Sequence, residues 1–129
     1  MPHITLEYSG NLDARLDIGE LCRVALKAAA STGVLEMPAI RVRAIRCDRW
    51  AVADEHPDNA FVDASLRMGR GRSEAAKAAT GKAIYDAMRA YCAPLYETNF
   101  FALSLELREI DPELSWKENG IKPRLKERG

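Results

Sequence analysis

The chain has 129 residues, 47% of them apolar and 29% charged, a balance that suits one compact core and leaves disorder and membrane burial as poor descriptions. Nineteen basic side chains cancel nineteen acidic ones, so no overall field favours nucleic acid or an anionic membrane surface, and any anion site has to be local. No apolar run approaches the roughly 20 residues that span a bilayer, and three cysteines without metal-ligand spacing or a recognisable leader read as reduced thiols in a cytoplasmic protein.

From His3 to Tyr8 the residues alternate, Ile4, Leu6 and Tyr8 against His3, Thr5 and Glu7, as a half-buried strand requires. Ser9, Gly10 and Asn11 supply a turn. Ile18, Leu21, Cys22, Ala25, Leu26 and Ala29 then recur at helical spacing up to Gly33, a carboxy-terminal stop. Beyond Pro38, the segment Ile40 to Asp48 predicts a strand with Ile40, Val42 and Ala44 on one face and Arg41 and Arg43 on the other. A loop with Asp54, His56, Pro57 and Asp58 leads to a third strand, Ala60 to Met68, ended by Gly69 and Gly71. Ser73 caps a second helix whose apolar stripe, including Ala76, Ala83, Ile84 and Met88, runs to Cys92 before Pro94. A last alternating strand covers Phe100 to Ile110, and a polar tail follows, carrying Leu114, Trp116, Ile121 and Leu125.

The order strand, helix, strand occurs twice, and each helix is a candidate crossover between parallel strands. The expected architecture is α+β over 1–129 as one domain: two βαβ units forming a four-stranded sheet with two helices on one face. The other face, with Thr5, Ile45, Phe61 and Ala102, is expected to be apolar enough to call for an oligomer.

Standard phosphate loops, paired cysteines and a His-Glu-x-x-His helix are all missing, and with His3 and His56 as the only histidines no metal is expected. What remains is Met1-Pro2 directly before a strand, and arginines at element boundaries, among them Arg41, Arg43, Arg46, Arg49 and Arg72. Each feature alone has a plain structural explanation. Together they make a constellation: once Met1 is lost, Pro2 carries a secondary amine fixed at the start of a core strand. Burial and nearby cations lower the pKa of such an amine from its ordinary value of roughly 7.7–8.0 towards neutrality. Arginines next to it repel the protonated amine and bind carboxylates in bidentate fashion, which suits proton transfer on an acidic enol.

These residues, in order and spacing, resemble the 5-carboxymethyl-2-hydroxymuconate isomerase family of the tautomerase superfamily over nearly the whole chain. The likeness rests on Met1-Pro2-His3-Ile4, Tyr8-Ser9-Gly10-Asn11, Ala30-Ser31-Thr32-Gly33, Ile40-Arg41-Val42-Arg43, Ala60-Phe61-Val62, Gly71-Arg72-Ser73, Leu103-Ser104-Leu105-Glu106 and Asp111-Pro112. The resemblance implies Pro2 as catalytic base, Arg41 and Arg72 as substrate-binding residues, a homotrimer, and no cofactor. It also implies ketonisation of 5-carboxymethyl-2-hydroxymuconate to its 2-oxo-3-ene tautomer during bacterial breakdown of homoprotocatechuate. Arg70 departs from the small neutral residue expected in the glycine loop, and the tail after Pro123 is strongly basic. Two other readings fit the same residues: a related reaction of the superfamily, dehalogenation by hydration or decarboxylation, or a noncatalytic trimeric module that binds anions.

Overall fold

The computed structural model describes residues 1–128. A four-stranded sheet is built from β1 (His3–Ser9), β2 (Arg41–Cys47), β3 (Ala60–Gly69) and β4 (Phe101–Ile110) in the order β2-β1-β3-β4. Strands β1 and β2 run parallel, as do β3 and β4, while β1 and β3 at the centre are antiparallel. Helix α1 (Ile18–Ser31) crosses from β1 to β2 and α2 (Glu74–Tyr91) from β3 to β4, so both expected βαβ units are present. Three additions were not legible: the one-turn α3 (Ala93–Tyr96), the helix α4 (Ile121–Arg128), and 3-10 turns at Gly10–Leu12, Met37–Ala39 and Pro112–Leu114.

Local chemistry explains the helix boundaries. The Asp17 carboxylate accepts from the Glu20 amide at 3.0 Å and the Ser73 hydroxyl from the Ala76 amide at 3.1 Å, each satisfying a donor that the first turn leaves unpaired. Gly33, just past the end of α1, adopts a positive φ of 72°. Both long helices cover the same sheet face. Ile4 and Leu6 of β1 and Val62, Ala64, Leu66 and Met68 of β3 share one buried cluster with Leu21, Ala25 and Ala29 of α1 and Ile84 and Met88 of α2. The Tyr91 hydroxyl donates to the Asp17 carbonyl at 3.0 Å and ties the end of α2 to the start of α1.

The opposite sheet face corrects one expectation. Ile45 is 48% exposed and Ala102 is exposed, but their neighbours are His3, Thr5, Glu7, Arg41, Arg43, Asp63, Ser65 and Arg67, so this face is largely polar and charged. The apolar residues expected there are a minority of the face, because strand pairing brings the polar residues of all four strands together on it. Cys92 is buried and Cys22 and Cys47 are partly exposed, all three unpaired; burial pushes the Cys22 thiol up and that of Cys92 to about 11, as expected of inert structural thiols. The basic tail beyond Pro123 falls in α4, and its side chains after Leu125 lie outside those described. Among the described residues no helix is long and apolar enough to cross a membrane.

Candidate active site

Pro2 stands immediately before β1 and is buried. Its carbonyl accepts from the Arg41 amide at 3.0 Å, which extends the β1–β2 pairing by one residue and fixes the proline against the sheet. A proline fits there because the first position of a strand need not donate to the ladder. Beside it opens a cleft of about 570 Å³. One wall is the connection from α1 to β2, with Val34, Leu35 and Glu36; another is the β3–α2 loop, with Gly69 and Arg72; the tail closes the third with Lys117 and Asn119.

The loop that delivers Arg72 owes its path to Gly71, whose φ of 114° favours glycine. Arg72 donates from Nη1 to the Gly69 carbonyl at 3.2 Å and from Nη2 to the Val34 carbonyl at 3.3 Å, so the guanidinium is oriented by backbone and keeps donors for a ligand. Arg41 is likewise oriented by a carbonyl, that of Ala39 at 2.7 Å. Among the described residues neither arginine forms an ion pair. Lys122, by contrast, is neutralised by Glu36 at 2.6 Å.

Pro2 and Arg72 share this cleft, but Arg41 does not line it. Arg41 faces a neighbouring hollow of about 580 Å³ with His3, Arg67 and Trp116, and the two spaces have Met1 and Lys117 in common. The sequence did not single out Lys117. A lone lysine in a polar tail carries no motif; only the fold, through Asn119 donating to the Pro38 carbonyl at 3.1 Å, brings the tail back over the amino terminus. Arg70, the departure in the glycine loop, is 57% exposed and lies 3.7 Å from the Asp111 carboxylate, a surface pair away from Pro2's cleft.

The electrostatics at the amino terminus are those of a depressed base. Burial, then the hydrogen bond and charge of Lys117, then the charges of Arg41 and Arg67, lower the Met1 ammonium pKa to about 6. His3 is also held below its ordinary range, by burial and by Arg67 and Arg43, and its Nδ1 lies 3.2 Å from Arg43 Nη1, where a neutral ring accepts. Chemically, the site pairs a terminal amine that sheds its proton readily with oriented guanidinium donors.

A four-stranded sheet of two βαβ units with both long helices on one face is a tautomerase-like fold. It is shared at the level of fold by a solved fused 4-OT trimer that is 18% identical, with a TM-score of 0.65 over 92% of this chain and 96% of that one. A model of the 5-carboxymethyl-2-hydroxymuconate isomerase family matches residues 2–125. A protein of Escherichia coli named 5-carboxymethyl-2-hydroxymuconate Delta-isomerase is 32% identical over 94% of this chain and 96% of its own length. The crystal structure of a 5-carboxymethyl-2-hydroxymuconate isomerase from Deinococcus radiodurans R1 is 35% identical with a TM-score of 0.87, covering 96% of this chain and 93% of that one. The chain belongs to the 5-carboxymethyl-2-hydroxymuconate isomerase family and is accordingly an isomerase.

Proposed function

We propose that the chain converts 5-carboxymethyl-2-hydroxymuconate, or a closely similar acidic dienol, to its 2-oxo-3-ene form without a cofactor, using the Pro2 amine freed by removal of Met1. The observation that carries this reading is the buried Pro2 at the edge of a cleft whose other pole is Arg72, an oriented guanidinium with no ion pair among the described residues. The free amine takes the proton of the 2-hydroxyl; the C2–O bond becomes a carbonyl, the C2=C3 and C4=C5 double bonds are replaced by C3=C4, and the ammonium returns the proton to C5. Arg72 and Arg41 bind carboxylates and stabilise charge on the 2-oxygen on its way to the ketone.

Loss of a single oriented donor to developing charge costs roughly a hundredfold to a thousandfold in turnover. Arg72→Ala is expected to lose about that much in an ultraviolet assay of ketonisation, with the far-ultraviolet circular dichroism unchanged; a loss below about fivefold contradicts its role. The working assembly on this reading is a homotrimer, for which the support is the fold shared with a trimeric 4-OT protein and a sheet whose outer face and two edge strands, β2 and β4, are free in the single chain.

A further inference from the structure

The hollow on the far side of Met1 is lined by two arginines, Arg41 and Arg67, where the cleft has one, Arg72. His3 of β1 sits in register between Arg41 of β2 and Arg67 of β3, and Arg67 is in register with Arg108 of β4, so one row across the sheet is basic in every strand. Side-by-side like charges on neighbouring strands oppose pairing. Arg108 is relieved by Glu106 on its own strand. Arg41, Arg67 and Lys117 have no ion pair among the described residues, and the one acid lining the hollow is the exposed Glu118. A space with three unneutralised cations and one acid is preset for an anion of more than one charge.

The dienol proposed as substrate is unsymmetrical in the matching sense, and the assignment of this hollow rests on that proposed activity. The C1 end of the dienol bears one carboxylate. C5, which receives the proton, bears two: the chain-terminal carboxylate and the one on the carboxymethyl arm. Among the described residues, the Pro2 cleft offers Arg72 as a cation without an ion pair, since Lys122 is occupied by Glu36, whereas the hollow offers Arg41 and Arg67, with Lys117 shared between the two. Met1 and Lys117 line both spaces, so the two adjoin at the amino terminus.

We propose that the hollow is the subsite for the doubly carboxylated end of the substrate, and that Arg67 binds the arm carboxylate and so selects a tricarboxylate dienol over a dicarboxylate one. Arg72 then holds the C1 end. Arg41, between Pro2 and the hollow, holds the carboxylate attached directly to C5.

The test uses protein with Met1 removed, unaltered and as Arg67→Met, with 5-carboxymethyl-2-hydroxymuconate and 2-hydroxymuconate as paired substrates. A charged hydrogen bond lost at this site corresponds to roughly ten- to a hundredfold. Measured on the pH plateau above the amine's rising limb, where loss of the Arg67 charge no longer changes the fraction of free base, the expected result is a fall of that size in kcat/KM for the tricarboxylate, carried by KM, with less than about threefold change for 2-hydroxymuconate and partial recovery in Arg67→Lys. Equal losses on both substrates, or none on either, overturn the assignment. Calorimetric binding of tricarballylate, an unreactive tricarboxylate, separates the subsite from the reaction. If the unaltered protein turns over neither dienol but Arg67→Met still weakens tricarballylate roughly tenfold or more, the subsite stands and the isomerase proposal fails. Unchanged tricarballylate affinity in Arg67→Met overturns the subsite whatever the turnover.

Discussion

At Pro2 a single position has to be both structural and reactive. The Met1 ammonium, lowered to about 6 by burial, by Lys117 and by the arginines 41 and 67, shows what field the amino terminus experiences. Pro2 is one residue further in, buried, lines the same cleft as Lys117, and is bonded through its carbonyl to the Arg41 amide. After loss of Met1 its amine is therefore expected to titrate below the ordinary α-amine range of roughly 7.7–8.0. Because the free base accepts the substrate proton, kcat/KM should rise with pH through this depressed pKa and level off above it. Removing a neighbouring positive charge relieves the protonated amine, so Lys117→Met should move the rising limb to higher pH. A pH–rate profile with no rising limb below the ordinary amine range, or a limb unmoved in Lys117→Met, contradicts this role for the amine. Pro2 and Arg72 were legible in the sequence because each is tied to a local signal, the terminal Met-Pro before an alternating strand and the Gly-Arg-Ser before a helix. Lys117 and Arg67 were not, because their relevance comes from tail docking and strand register.

Elements carry the site as much as residues do. Arg72 directly precedes the cap of α2, and its guanidinium reaches back to the end of β3 and across to Val34, so the first turn of α2 and the arginine share one anchor. Ser73→Ala removes the hydroxyl that accepts from the Ala76 amide and should cost about 0.5–2 kcal/mol in urea unfolding. The same variant should lower kcat in the direction of Arg72→Ala but by less, since it loosens the guanidinium without removing it; unchanged stability and kcat would remove the cap from this role. Alternation and helical spacing made the four strands and two long helices readable. Helix α4 was hidden by Pro123 and a polar sequence, and what holds it is a local cap at Asn119 together with a tertiary ion pair. Asn119 Oδ1 accepts from the Ile121 amide at 2.9 Å, and Lys122 meets Glu36 from the α1–β2 connection.

For the whole molecule, the sheet face away from the helices is the part that the sequence made least legible. An apolar face was expected; the registered rows place cations at one end, around His3 and Arg67, and acids at the other, around Glu7 and Asp63. Alternation assigns residues to a face but does not weigh a face summed over four strands, and that sum depends on strand order. With polar chemistry on that face, a proposed trimer has to match charge as well as cover Ile45 and Phe61. Light scattering on the purified protein should give three times the chain mass, with dissociation favoured by high salt because exposed ion pairs are screened; a monomer at all salt concentrations contradicts this assembly.

The measurement that bears most directly on the catalytic role of Pro2 compares three proteins in one ketonisation assay with 5-carboxymethyl-2-hydroxymuconate: the chain with Met1 removed, verified by mass spectrometry, the chain with Met1 retained, and the processed Pro2→Ala variant. In the retained form the Pro2 nitrogen is an amide and cannot act as a base. Rapid ketonisation is expected from the processed protein alone. Equal rates in all three, or no acceleration over buffer by the processed protein, would contradict proton transfer through Pro2.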